Sequence, residues 1–433
     1  MQNLFHEIMT RLEKGFAFPA VKGVYHPRFG DLSRLEAVRL ETAETSFQPE
    51  GGTVFHVTVT GRCNARCEGC INVSLTCEDR REALKLFEAD PEREVQAILT
   101  LAQEAPKPIT VAFYGGEPFL APEKMDLMRR LLRAALGDDV RFMVYTNGML
   151  LDQVIEKYPA LIEDLWLISF SIDGREEQHE AVRRGTRLSR IQENMARLKT
   201  VAPHVRTLVW STLREEQSLY DCWLAFLELH ELGLGDFFFY HFPETGEPFR
   251  DFEDYVNRYE AEFSVILWEF LERLRRGEII PVVHLNELLT FMLTGYRRGH
   301  TACGAELAAN FDLVGGRILA CADLPPEFAL GEITPEGKVV LRLEDLSFLA
   351  AYREPLGCTR CGIEPYCGGR CPVQALTGSP VRTLQYCQLL RLHVGLVKES
   401  LPAVRESLRK NGLSPEDLYW KAGFLARYTD VIP

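Results

Sequence analysis

The chain has 433 residues, 46% hydrophobic and 26% charged, a globular composition with length for two or three domains. Its formal net charge of −13, with no Lys/Arg cluster, argues against a nucleic-acid or anionic-lipid partner. Apolar runs such as Leu165 to Ile172 are far too short to span a bilayer, and Glu7 and Glu13 stand where a signal peptide would have its apolar core, so the expectation is a soluble cytoplasmic protein with no membrane contact.

The first fifty residues are weakly patterned and are set apart as an N-terminal extension, 1–50. From about residue 53, strand-like and helix-like segments alternate. Strands are predicted at Val54 to Thr60, Ile109 to Tyr114, Val140 to Tyr145, Leu165 to Ile172, Thr207 to Ser211 and Asp236 to His241. Each is short, bounded by turn signals and rich in β-branched or aromatic residues. Between them, stretches such as "REVQAILTLAQEA" and "EKMDLMRRLLRAAL" repeat apolar residues at three and four, as helices do. The alternation predicts an α/β fold in which six strand–helix units form a partial (β/α)6 barrel over residues 51–298. Two more helical patterns follow, at 251–276 and 284–293.

Near residue 300 cysteine, glycine and proline begin to punctuate the chain, which defines a cysteine-rich part, 299–395. A helical tail, 396–433, completes the division. A long helical pattern runs to Gly412, a typical stop, and Ser414 with Pro415 reads as the start of a last helix.

Twelve cysteines are not ornament in a reducing compartment; clustered, they read as metal ligands or reactive thiols. Ten fall into two sets: Cys63, Cys67 and Cys70, then Cys303, Cys321, Cys358, Cys361, Cys367, Cys371 and Cys387. Cys222, inside the apolar "YDCWLAFL", reads as a packing residue. Cys77, just past the first set, is open to either use.

The first set has the spacing C-x3-C-x2-C, with no histidine beside it. A structural zinc site is closed by four ligands, commonly in two pairs. A cubane iron–sulfur cluster takes one thiolate per iron, so three thiolates leave one iron open to a small molecule. The spacing alone admits both. The next strand ends in "GGEP", with Gly115, Gly116, Glu117 and Pro118. Two glycines let a backbone approach a ligand, and a carboxylate at a strand's C-terminal end faces the mouth where barrel enzymes work. Thr146 and Asn147 end the third strand, and Ser171 and Asp173 the fourth. These small polar groups suit a ribose and amino-acid moiety, though Asn-Gly and Asp-Gly are also common turns.

C-x3-C-x2-C followed by "GGEP" on an open barrel resembles the radical S-adenosylmethionine superfamily. The resemblance implies that Cys63, Cys67 and Cys70 hold a 4Fe–4S cluster whose open iron binds S-adenosylmethionine. Reductive cleavage would then give a 5′-deoxyadenosyl radical that takes a substrate hydrogen, the cofactor carrying the hard chemistry. It implies further that Gly115, Gly116, Glu117 and Pro118 grip the methionine amino group, and that Asn147, Ser171 and Asp173 meet the ribose or carboxylate. Arg183 matches a carboxylate-binding arginine, with Arg184 an equal neighbour. Relatives place an aromatic residue before the third cysteine, near the adenine; here it is Gly69.

The second set resembles a SPASM domain, the auxiliary-cluster extension of peptide- and protein-modifying radical enzymes, and together the motifs cover roughly residues 53 to 390. The resemblance implies two more 4Fe–4S clusters, making three in all. Cys358, Cys361, Cys367 and Cys387 would hold the outer one; Cys303, Cys321 and Cys371 would hold the inner one. Some relatives place an eighth cysteine where this chain has Arg297. The inner site then has a free iron or a non-cysteine ligand such as His300. The leading expectation is an enzyme that forms a thioether or other cross-link in a ribosomally made, cysteine-containing peptide, the free inner iron taking the substrate thiolate. The alternatives are an anaerobic sulfatase maturase making formylglycine, and a non-enzymatic iron–sulfur or zinc scaffold. A reducing partner such as flavodoxin or ferredoxin is implied, and Tyr240 and His241, ending the sixth strand, are substrate-contact candidates.

Overall fold

The computed structural model describes residues 25–26, 30–31, 37–70, 87–243, 247–301, 303–324, 328–342 and 346–429. Cys77 and much of the 1–50 extension lie outside the described residues.

Six strands form where the pattern predicts them: β1 (Thr53–Thr60), β2 (Ile109–Gly115), β3 (Val140–Thr146), β4 (Leu165–Ser171), β5 (Arg206–Thr212) and β6 (Phe237–His241). All neighbours pair in parallel. The connecting helices include α1 (Pro91–Leu101), α2 (Pro122–Leu136), α3 (Leu188–Val201) and α4 (Leu219–Glu231). They cover the outer face, which is why these strands read as near-continuous apolar runs. Cys222 is wholly buried in α4, its sulfur 3.4 Å from Gln178 Nε2, as a packing residue should be.

The sheet does not stop at the 298/299 division expected from composition. β7 (Asn310–Val314) lies parallel beside β1, pairing Asp312 with His56. An antiparallel meander, β8 (Arg317–Leu319), β9 (Gly331–Ile333) and β10 (Val339–Leu341), extends it. The order across ten strands is β6-β5-β4-β3-β2-β1-β7-β8-β9-β10. Residues from β1 to β7 line one cavity, so the sheet curls around it.

Past β6 the chain forms α5 (Phe252–Arg275) and α6 (Val283–Thr294), then, after the meander, α7 (Pro380–Asn411) and α8 (Pro415–Lys421). α7 passes unbroken through the expected 395/396 division and ends at Gly412, and α8 starts with a Ser414–Asp417 capping box. The described end of the N-terminal extension is a strap. Leu40 N donates to Gly362 O (2.8 Å), Ala43 N to Gly295 O (3.0 Å), and Phe47 packs edge-on against Tyr296 and Tyr419. Among the described residues no helix is long and apolar enough to cross a membrane.

Candidate active site between two cysteine sets

The first cysteine loop leaves the end of β1 and is seated by the end of β2. Gly116 N donates to Thr60 O (2.9 Å) and Glu117 N to Arg62 O (2.8 Å). A Cβ on Gly115 would stand 2.4 Å from Thr60 O, and one on Gly116 2.2 Å from Arg62 O. The two glycines therefore let the cysteine loop's own backbone come close, and they line the cavity as well. Farther along, Arg66–Cys67 pairs antiparallel with Arg183–Arg184, which puts Arg183 Nη1 3.9 Å from Cys67 Sγ.

Glu117 does not face the cavity. Its side chain is 1% exposed and accepts from Phe119 N (3.1 Å), Thr146 Oγ1 (2.7 Å) and Asn147 N (2.8 Å). Burial pushes the carboxyl up to about 7 despite those bonds. These bonds tie the ends of β2 and β3 together. Pro118, buried at the start of the short turn Pro118–Leu120, does not line the cavity either. Asn147 does, held by Asn64 Oδ1 (2.7 Å), and so does Ser171.

Asp173 is also placed differently from expectation. It is fully buried and lies 2.7 Å from Arg183 Nε and 2.8 Å from Arg214 Nη1, while accepting from Thr212 N (2.9 Å). Burial pushes its carboxyl up, but the two guanidiniums outweigh this and hold it well below the usual carboxylate range. Its oxygens are engaged by these two cations and by the Thr212 amide. Arg183 then presents its remaining face to the cavity, whereas Arg184 points out to Glu68 with its side chain 70% exposed.

Tyr240 and His241 divide by strand alternation. Tyr240 faces outward, its hydroxyl 2.9 Å from that of Tyr259 on α5, and is not a cavity residue. His241 faces inward, 2.9 Å from Thr212 Oγ1, and burial pushes its imidazole down to about 3.

The cavity is about 300 Å³. Cys63, Cys67 and Cys70 line it, and so do Cys303 and Cys321. Its wall contains residues the sequence did not single out: His56, Tyr114, Tyr145, Trp210 and Asp312 on inward strand positions, and Arg214 beyond β5. His56 Nδ1 lies 2.8 Å from Asp312 Oδ1. Inward alternation along each strand is the signal that finds them. Gly69 has φ +55, a left-handed backbone unsuited to an aromatic side chain, and the space beside it holds Arg214, Nε 3.6 Å from where a Cβ would be.

Cys371 lies within electrostatic reach of Cys321. Cys358, Cys361, Cys367 and Cys387 surround a separate small pocket with Arg370 and Arg391, and Arg391 Nη2 is 3.5 Å from Cys361 Sγ. Burial pushes the Cys367 thiol up to about 12. Four thiols beside two guanidiniums suit an anionic metal cluster that would draw off the thiol protons. Among the described residues no three His, Cys, Asp or Glu side chains converge on a single ion, while a cubane takes its thiolates at separate corners. At the first set, three thiols beside the Arg183 cation and the Asn147 amide fit a cluster with one iron open to an amino acid. Arg297 is ion-paired to Glu364, and His300 Nδ1 sits 2.7 Å from Thr301 O, outside the cavity lining.

Residues 57–213 match the model of the radical SAM superfamily. No curated protein matches the sequence. Among solved structures, anSMEcpe with bound AdoMet is similar at 19% identity and TM-score 0.61, over 86% of this chain and 98% of that one. The same protein with AdoMet and the Cp18Cys peptide is similar at 18% identity and TM-score 0.59, over 81% and 99%. SuiB of Streptococcus suis bound to the precursor peptide SuiA is similar at 15% identity and TM-score 0.46, over 76% of this chain and 74% of that one. Residues 57–213 thus form a radical SAM domain, in a chain that shares its fold with anSMEcpe over 86% of its length.

Proposed function

We propose that this chain modifies a residue of a peptide or protein substrate inside the cavity between its two cysteine sets. The observation that carries this reading is the shared cavity itself, lined by Cys63, Cys67 and Cys70 and equally by Cys303 and Cys321. When bound at the first set, a 4Fe–4S cluster would supply the electron that cleaves S-adenosylmethionine to a hydrogen-abstracting radical. The chain's own residues do the rest. Arg183, oriented by Asp173, offers a cation to the methionine carboxylate. Asn147 and the Gly115–Gly116 backbone give the polar edge, and Tyr114, Tyr145 and Trp210 keep water from the reacting carbon.

Within that class the reading is a thioether or other cross-link in a cysteine-bearing peptide. Formylglycine formation is the second reading, favoured by the fold shared with anSMEcpe, which has been solved with the Cp18Cys and Kp18Cys peptides. Cys358, Cys361, Cys367 and Cys387 would hold the outer cluster, and a flavodoxin- or ferredoxin-type donor would deliver electrons.

The test is anaerobic reconstitution, S-adenosylmethionine with a reductant, and a cysteine-bearing peptide encoded beside this reading frame. The expected result is 5′-deoxyadenosine and a peptide that loses a hydrogen pair and keeps its sulfur. A peptide that exchanges its sulfur for oxygen establishes formylglycine. Iron-loaded protein that makes no 5′-deoxyadenosine overturns the proposal.

A further inference from the structure

Seven cysteines in the extension leave the inner site one donor short, since four surround the outer pocket and Cys303, Cys321 and Cys371 remain. A cubane asks for a ligand at each of its four irons. Arg297 is a cation paired with Glu364. His300 turns its Nδ1 to Thr301 O and is not among the residues lining the cavity. Asp312 lines the cavity too; its Oδ2 accepts from the backbone N–H of Ala322, and its Oδ1 lies in ion-pair range of His56 Nδ1, at 2.8 Å.

Asp323 stands in the same loop as Cys321. It lines the cavity together with Cys303 and Cys321, and its Oδ2 is 3.9 Å from Cys321 Sγ. It stands two residues after that cysteine, and the Asp312–Ala322 bond anchors the backbone between them. The short loop therefore presents a thiol and a carboxylate side by side to the same space.

We propose that Asp323 is the fourth protein ligand of the inner iron–sulfur site, giving it three thiolates and one carboxylate. The proposal rests on the reading of Cys303, Cys321 and Cys371 as a cluster site. It replaces the open inner iron expected from the cysteine count with a closed one. A substrate sulfur then reacts in the cavity without first binding iron, whichever bond is formed there.

The test uses full-length protein with Cys63, Cys67 and Cys70 all changed to Ala, so that only the auxiliary sites carry iron. It is reconstituted anaerobically, and roughly eight irons per chain are expected. 13C-cyanide is the probe for an open iron, read by pulsed electron paramagnetic resonance of the reduced protein. With Asp323 intact, no 13C coupling is expected. Asp323→Ala should gain it, and Asp323→Cys should exclude cyanide again while shifting the g values of the inner signal. If Asp323→Ala instead loses roughly four irons that Asp323→Cys retains, the ligand role is equally supported. Cyanide coupling with Asp323 intact, or an inner signal unchanged and still cyanide-free in Asp323→Ala, overturns the ligand role. About four irons in the protein with Asp323 intact means that the inner site holds no cluster, and the underlying cluster reading fails with the proposal.

Discussion

Asp173 Oδ2 lies 2.7 Å from Arg183 Nε, inside a protein interior that leaves the carboxylate no exposed surface. The same carboxylate holds Arg214, whose Nε donates to Glu68 O (2.6 Å) in the first cysteine loop. One buried anion thus ties β4, β5 and the cysteine loop together. Asp173→Asn leaves two buried cations short of a counter-charge, and a cost of about 3–5 kcal/mol is expected. The carboxyl is held low in the folded state, so its stabilisation is present above the unfolded value of about 4 and is lost as pH falls through the folded value. Thermal unfolding should show the variant far less stable at pH 7, with the gap closing only in strong acid. Equal melting temperatures at pH 7 would refute this.

The neighbouring arginines give a matched pair. Arg183 reaches the cavity and Arg184 does not. Arg183→Lys keeps a charge but loses the fork that spans Asp173 and the cavity. Binding of S-adenosylhomocysteine to reconstituted protein should weaken by about tenfold or more, as expected for the loss of one charge-assisted contact. Arg184→Ala should stay near the parent, its ion pair being exposed. Calorimetric titration of both variants separates the two residues.

Gly116→Ala tests the seating of the cysteine loop. The new Cβ would stand 2.2 Å from Arg62 O, a backbone atom, so the loop must move. Overpacking of this kind costs about 1–3 kcal/mol. The expected outcome is a loss of roughly four irons per chain with every thiol still present. Full iron content and unchanged S-adenosylmethionine cleavage would contradict that role for the glycine.

Glu94 gives a pH test away from the site. It is fully buried on α1, both oxygens lack a hydrogen-bond partner among the described residues, and Arg93 is 3.6 Å away. Burial pushes its carboxyl from 4.5 up to about 7. For a carboxyl held high in the folded state, ionisation on the way from pH 4.5 to 7 lowers stability, by about 1.4 kcal/mol for every pH unit between the unfolded and folded values. Glu94→Gln should therefore raise the melting temperature at pH 8 and leave it nearly unchanged at pH 4.5. A gain of the same size at both values would show that the charge is not what matters.

Much of the fold was legible because its signals are local. Each of the six strands carries its own apolar run between turn residues, and Ser414 caps the last helix with Pro415 in its first turn, as the sequence foretold. Site geometry was legible only to the level of which strand end a residue occupies. Glu117 and Asp173 stand where expected, but their roles depend on partners 29 and 41 residues on, Thr146 and Arg214, that no local pattern links to them. For Tyr240 and His241 the period of two was in the sequence, and it assigns adjacent residues to opposite faces. The pairing of β7 with β1 had no such signal: it joins strands some 250 residues apart, and a boundary read from composition hid it.

That pairing also limits how this chain can be re-engineered. Asn310 to Leu313 hydrogen-bond alongside Val54 to Val57, so the extension is not a detachable module. A chimera cut at 298/299 that brings in a foreign extension without a matching strand strips β1 of its neighbour and leaves a raw sheet edge, open to aggregation. A working graft has to carry β7 with its host barrel and make the join beyond Leu341, where the meander ends.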